Sequence, residues 1–347
     1  MQRGVKELLQ QSGCDSVVLA QTMERPDSSF AYFTGLRKVT GYFLITENQQ
    51  TLYVSPLEYG TAKQQSSVRD LRMMGKDTLA TLQPKLGKHV GMNLDYLSVN
   101  GLARIKQHMR QKEIHDVAAV LRKIRMVKRK DELDCIREAC KITDKIFQKT
   151  FRDARSVRTE PAMKQMIEEE MLAHGVTPSF DVIVASGKNS AHPHHFSENI
   201  KLKGMTILDI GVRFKNYCSD LTRTIFFGQP TRKELEVYHL VKSVQETCVR
   251  MVKEGEHFSV LHRYASQKIG SQMIHRIGHG LGIDVHEDPY PGKEKGDDTL
   301  KEGMVITIEP GMYLDGKFGV RIEDDVIVGK EKSTVLSKTG RELLVVS

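Results

Sequence analysis

The sequence has no tryptophan and only five cysteines in 347 residues. Cys14, Cys135, Cys140, Cys218 and Cys248 are scattered, odd in number and free of any CxxC pair. That pattern excludes a disulfide framework and a thiolate zinc site, and it suits a reducing cytoplasm. No apolar run approaches the roughly 18–20 residues that span a bilayer. The opening MQRGVKELLQQSG is an amphipathic helical pattern without an apolar stretch or a small-residue cleavage site, so it does not read as a signal peptide. With 39% hydrophobic and 28% charged residues, the collagen-like, disordered and coiled-coil classes are also excluded. The length accommodates two domains.

What the chain has is positive charge, +8 in total, unevenly placed. Residues 121–160 alone are net +6, concentrated in Arg122-Lys123, Arg125 and Lys128-Arg129-Lys130. Residues 161–347 are net −2 and hold 10 of the 13 histidines. A nucleic-acid binder would spread a basic face over its working surface. Here the basic run reads as the solvated start of an interdomain helix, and the chemistry belongs to the mildly acidic half.

The first segment alternates short elements. Residues 4–12 read as a helix closed by Gly13. SVVLA, GYFLIT, TLYVS and HVGMN read as strands, and DTLATLQPKLG and SVNGLARIKQHM as helices. This predicts a small α/β domain over 1–118. From there to 347 the pattern is α+β. DELDCIREACKITDKIF places Leu133, Ile136, Ala139, Cys140, Ile146 and Phe147 on one helical face. Thr159 and Pro161 open a second helix that stops at Gly175, and the capping box Thr231…Glu234 opens a third. Between and after them lie the strand segments MTILDIGVRF, NYCSDLTRTIFF, EGMVITIEPGMYL and GVRIEDDVIV.

Acidic residues are depleted from strand interiors, yet Asp209, Asp220, Glu309 and Glu323 sit in otherwise apolar strands. A turn at Phe214-Lys215 sets Asp209 directly opposite Asp220, and the spacing of Glu309 and Glu323 likewise suits one carboxylate on each arm of a hairpin. Paired carboxylates on one face repel each other unless a cation lies between them. IGHGLGIDVHEDP adds His279 and His286, with Gly278, Gly280 and Gly282 allowing close backbone approach. Four carboxylates and a neutral imidazole balance two divalent cations. Oxygen-rich ligation favours Mn²⁺ or Co²⁺ ahead of Zn²⁺. Such a pair would hold a shared water and acidify it.

ASGKNSAHPHHFSEN sets His192, His194 and His195 in a loop, with His194 and His286 as candidate donors to a substrate carbonyl. His89, His108, His115, His174, His239, His257 and His262 lie on ordinary patterns and read as structural. His275 has no distinguishing context.

The motifs KNSAHPH, ILDIGVRFKNYCSDLTRTIFFG, IGHGLGIDVHEDP, LKEGMVITIEPGMY and GVRIEDD resemble, in order and spacing, those of the Xaa-Pro peptidases of the pita-bread metallopeptidase family. The first segment, with YFTGL at 32–36, resembles that family's creatinase-like N-terminal domain. The resemblance implies an α+β pita-bread catalytic domain over 119–347, preceded by the smaller α/β domain. It implies that Asp209, Asp220, His279, Glu309 and Glu323 ligate two metal ions per subunit, with Asp220 and Glu323 bridging. A metal-bridged hydroxide would be the nucleophile and Glu309 the general base. His194 and His286 would bind the scissile carbonyl. Arg321 would orient a carboxylate ligand or meet the substrate's terminal carboxylate, and Thr222 and His192 would stand behind the site.

The implied substrate is a small peptide with proline second, most simply an Xaa-Pro dipeptide cleaved by a cytoplasmic homodimeric prolidase, without nucleic-acid or membrane partners. An Xaa-Pro aminopeptidase acting on longer peptides is the alternative, and a catalytically silent metal-binding module of the same fold is a third. Arg37 and Lys38, following YFTGL, are either solvated or able to meet a dipeptide carboxylate.

Overall fold

A computed structural model describes residues 3–292 and 298–347. It divides into two compact units, Met1–Arg125 and Met126–Ser347.

The first unit is built on a six-stranded sheet in the order Asp70–Met73, Gln50–Val54, Gly41–Thr46, Ser16–Gln21, His89–Met92, Glu113–Asp116. Its central strands are apolar on both faces, as strands covered on both sides must be. Phe43 and Ile45 face one core with Val17, Phe30 and Leu52, while Leu44 faces the other with Val18, Val90 and Ile105. The helix Ala118–Met126 packs into the first of these cores through Leu121 and Ile124. The two outermost strands, DLRM and EIHD, carry little apolar periodicity and were not legible as strands. Ladder hydrogen bonds to a neighbour define them instead.

In the second unit the helices Glu160–Ala173 and Arg232–Met251 start at their expected caps, and a longer helix, Lys130–Asp153, precedes them. Thr159 accepts from Ala162 N–H, and the Thr231–Glu234 capping box is formed. A fourth helix, Phe258–Ile269, buries Phe258, Leu261, Ala265 and Ile269, an i, i+3, i+4 spacing that the sequence reading passed over. The basic run over 122–130 is not wholly solvated, contrary to expectation. Arg125 and Lys128 are buried, and Lys128 Nζ lies 2.8 Å from Glu287 Oε1 in a nearly water-free ion pair.

Two long antiparallel hairpins dominate this unit. The first pairs Gly204–Ile210 with Leu221–Phe227, and continues through Val212–Phe214 and Tyr217–Cys218. Lys215 and Asn216 both have positive φ, the requirement of the two-residue turn that matches strand twist. The turn therefore falls one residue later than expected, and the register changes with it. Asp209 lies opposite Thr222 rather than Asp220. The two aspartates still share a face, because Asp220 is two residues from Thr222.

The second hairpin pairs Val305–Ile308 with Asp324–Ile327, and Gly311–Leu314 with Phe318–Arg321. One register runs through both halves, which sets Glu309 opposite Glu323 at the break between them. The hairpins are stitched together near these acids. Glu323 N–H donates to Thr222 O at 3.1 Å, and Thr224 Oγ1 donates to Arg321 O at 2.8 Å.

Candidate metal centre

Three of the four acids sit where regular pairing gives out, while Asp209 stays in the ladder, paired with Thr222 on one side and Ile183 on the other. Asp220 follows the close approach of Gly211 to Ser219, where a Cβ on the glycine would lie 2.2 Å from Ser219 O. Glu309 and Glu323 occupy the gap between two sheets. A strand end lets a carboxylate turn into a cavity while its neighbours stay in the ladder. His279 comes from a loop that only glycine permits. A Cβ at Gly278 would meet Thr307 O at 1.9 Å, one at Gly280 Asp288 O at 2.3 Å, and one at Gly282 Glu287 Oε1 at 2.4 Å. At Gly278 and Gly280 the constraint is backbone approach, as the sequence suggested; at Gly282 it is the Glu287 side chain.

These side chains converge. The ligand atoms of Asp220, His279 and Glu323 lie within 4.8 Å of one another, all three residues buried. His279 Nε2 is 3.4 Å from Glu309 Oε1 and 3.7 Å from Asp220 Oδ2. Asp209, Asp220, His279, Glu309 and Glu323 line one cavity of about 450 Å³, together with His194, His286, Arg321, Phe180, Ile183, Phe196 and Tyr290. That size is typical of a small-molecule site.

The protonation pattern tests whether the residues suit a metal. His279 Nδ1 lies 3.1 Å from Gly280 O, a contact that requires the proton on Nδ1 and leaves the Nε2 lone pair facing the carboxylates. Burial, with His286 beside it, pushes the His279 pKa down to about 3, so the ring is neutral. Asp209 Oδ1 is buried without a hydrogen-bond partner. Burial lifts the Asp220 pKa well above the usual carboxylate range, with Glu323 and Asp209 adding to it. Glu323 moves the same way through burial and its acidic neighbours Glu309 and Asp209. Glu309 is pushed up to about 8, chiefly by burial. Without a cation, these groups resist ionisation. A neutral imidazole, an orphan oxygen and crowded carboxylates are the donor set a divalent ion satisfies.

Arg321 and Thr222 organise the acids from behind. Arg321 Nη2 donates to Asp209 Oδ2 at 2.6 Å and Nε to Thr222 Oγ1 at 3.2 Å, while Thr222 Oγ1 donates to Glu323 Oε2 at 2.6 Å. The guanidinium is therefore engaged on a carboxylate ligand. His286 stands with its ring centroid 4.2 Å from that of His279. His194 is exposed on the cavity wall. His192 is exposed and lines a neighbouring depression with Gln272, Leu314 and Lys317. Arg37, half-buried, and Lys38, exposed, belong to the first unit.

Several residues at the site were invisible in the sequence. His275, which had no distinguishing context, lines the cavity, and burial lowers its pKa to about 4. Its Nδ1 donates to Arg276 O at 2.8 Å, so its Nε2 accepts from Tyr313 Oη, also at 2.8 Å. Tyr313 in turn accepts from Arg321 Nη1 at 3.0 Å. Asp325 Oδ2 accepts from the Asp220 backbone N–H at 2.8 Å and from Cys140 Sγ at 3.3 Å. Arg223, fully buried, donates through Nη1 to the carbonyls of Thr222 and Glu323 and pairs with Asp324 at 2.7 Å. Glu160, buried behind the loop of His194, accepts from Ser186 N–H at 2.6 Å and Glu198 N–H at 2.8 Å, and lies 2.8 Å from His195 Nε2. Alternation could have flagged Arg223 only if both sheet faces were known to be covered.

The chain matches metallopeptidase family M24 over residues 134–330 and the creatinase/prolidase N-terminal domain over residues 3–127. It is 34% identical over 323 residues to an Xaa-Pro dipeptidase of Pyrococcus furiosus, covering 90% of this chain and 92% of that protein. Among solved structures it is similar to an X-Pro aminopeptidase from Thermotoga maritima, with a TM-score of 0.90 and 29% identity, covering 98% of this chain and 99% of the other. An Xaa-Pro dipeptidase from Bacillus anthracis matches with a TM-score of 0.90 and 28% identity, covering 99% of each chain. Fold and site define a metallopeptidase. The chain belongs to the Xaa-Pro peptidase family of pita-bread metallopeptidases, with an α+β catalytic domain preceded by a creatinase-like domain.

Proposed function

We propose that this chain hydrolyses the bond between an N-terminal residue and proline, with Xaa-Pro dipeptides as its preferred substrates. One observation carries the reading: four carboxylates from the two hairpins and an imidazole of the ligating tautomer converge on one cavity. In this reading Asp209, Asp220, His279, Glu309 and Glu323 would hold two divalent ions, Mn²⁺ or Co²⁺ ahead of Zn²⁺. Bound ions would supply Lewis acidity and lower the pKa of a water.

The remaining work falls to the side chains. Glu309 keeps 17% of its side chain exposed, so in this reading its carboxylate can reach the cavity to accept a proton and release it again. The acceptor of that proton is the proline nitrogen, which as a tertiary amide carries none of its own. His194 and His286 line the same cavity, and in this reading they donate to the scissile carbonyl oxygen and to the charge that develops there. Phe180, Ile183, Phe196 and Tyr290 offer the pyrrolidine ring an apolar wall. Arg321, occupied by Asp209, serves to orient that ligand.

Relatives named dipeptidase and aminopeptidase match equally well in structure, which favours removal of Xaa from longer peptides as the second reading. Turnover of Xaa-Pro and Xaa-Pro-Yaa peptides at saturating Mn²⁺ or Co²⁺ separates them. Faster cleavage of the dipeptide is expected, and equal or faster cleavage of the tripeptide refutes the dipeptidase assignment. Elemental analysis should find two ions per chain. Hydrolysis by metal-free protein would sink the whole reading. The homodimer implied by the family resemblance is tested by light scattering.

A further inference from the structure

The first unit contains a second cluster of metal-ligating side chains, remote in sequence from the acids above. Two parallel strands carry it, His89–Met92 and the sheet-edge strand Glu113–Asp116, in the register His89↔Glu113 and Gly91↔His115. Alternation puts His89, Glu113 and His115 on one face of the sheet. His89 Nδ1 lies 3.1 Å from His115 Nε2 and 3.3 Å from Glu113 Oε2. One ligand atom from each residue falls within 4.8 Å of the other two. A tetrahedral ion with bonds of about 2.0–2.1 Å separates its ligand atoms by roughly 3.3 Å. Two of the three separations therefore already sit close to that edge length.

The surroundings hold these groups in place. Lys88 Nζ takes the other Glu113 oxygen, Oε1, at 2.8 Å, which fixes the carboxylate with Oε2 turned toward the imidazoles. The same contact lowers the Glu113 pKa, keeping it ionised. His89 is locked through its backbone: its N–H donates to Asp15 Oδ2 at 2.8 Å and its carbonyl accepts from Asp15 N–H at 3.0 Å. Glu113 and His115 are exposed, so an ion can reach them.

We propose that His89, Glu113 and His115 form a binding site for a borderline divalent ion, Zn²⁺ in the first instance. Its fourth position would be open to water, and it would clamp the edge strand Glu113–Asp116 onto its neighbour. Two imidazoles and one carboxylate select this class of ion over Mg²⁺ or Ca²⁺, which require oxygen ligands. The site is structural and takes no part in hydrolysis.

The test dialyses wild type, His115→Gln and His89→Gln, all preloaded with Mn²⁺, against micromolar free Zn²⁺ and measures both metals by elemental analysis. Any exchange at the acidic centre is common to all three proteins. Wild type should retain one Zn²⁺ more than either variant, and Glu113→Gln should weaken that ion at least tenfold. Xaa-Pro hydrolysis should be unchanged in every variant, with circular dichroism confirming the fold. A single proton shared between His89 and His115 would explain the 3.1 Å contact without a metal. In that case Zn²⁺ content is the same in all the proteins, and the proposal is overturned. The readout is bound metal, so it stands or falls independently of the peptidase activity.

Discussion

At the scale of single residues, the site depends on which atoms carry protons. His279 has its proton on Nδ1 because Gly280 O is there to accept it, and that leaves Nε2 for ligation. Asp325 acts one step further back, holding the Asp220 backbone through its N–H. Replacing Asp325 by alanine should weaken metal binding about 10–100-fold, as loss of an outer-shell partner does, while the dipeptide KM at saturating metal changes little. A metal titration of Asp325→Ala with unaltered affinity would remove it from the site. His194→Ala should retain both ions and lose roughly 10²–10³-fold in kcat, the cost of one donor to a developing oxyanion. Loss of metal in that variant would place His194 among the ligands. None of these partnerships was legible in the sequence, because Asp220 and Asp325 are far apart along it and meet only through folding.

The elements explain why carboxylates survive in strands at all. Two hairpins break their own pairing at the acids, at Gly211 and Asp220 in one and between Glu309 and Glu323 in the other. Strand positions, spacing and the glycine-framed histidine were readable because period-2 apolar patterning and the GHGLG run are local signals. The turn was misplaced by one residue, since a Lys-Asn pair at positive φ lacks the glycine that usually marks such a turn. Gly280→Ala should destabilise the protein by about 1–3 kcal/mol, the usual cost of forcing a side chain into packed structure. The new Cβ would meet Asp288 O, so the loop must shift and His279 with it. Urea melts and metal retention read both effects. Arg223→Ala should cost about 3 kcal/mol, the lower part of the range for a broken buried ion pair, because Arg341 Nε stays 2.6 Å from Asp324. Arg223→Lys should not restore it, as one ammonium cannot make the five contacts of the guanidinium.

On the scale of the whole molecule, the acids make stability depend on pH and metal together. Glu309 has an ordinary pKa of 4.5 and a folded one of about 8, and Asp325 goes from 3.8 to about 8. Between those values the folded metal-free chain binds more protons than the unfolded chain, so stability is lost as pH rises. His279 and His275 act oppositely. Their folded values, about 3 and about 4 against 6.5, cost stability as pH falls below 6.5. Above pH 6.5 the histidine contribution fades, and the carboxylates dominate towards pH 8. The Tm of metal-free protein should fall across that window, and added Mn²⁺ should raise it more at pH 8 than at pH 6.5. Scanning calorimetry of chelator-treated and metal-loaded protein checks this, and a flat metal-free profile contradicts it. The net +8 plays no part in that balance. Part of its concentrated run is buried, with Lys128 paired to Glu287.

The sequence by itself determined the α+β class, the helix caps, the apolar strands and the identity of the unusual acids and histidines. All of these are written in local periodicity and residue type. Tertiary structure alone decided the hairpin register and the pairing of Glu309 with Glu323. It also set the tautomer of His279, the engagement of Arg321 on Asp209, and the roles of Asp325, Arg223, His275 and Glu160. The physical reason is the same for each. Burial, hydrogen-bond partners and shared cations are properties of groups brought together from distant segments, and no window along the chain contains both partners.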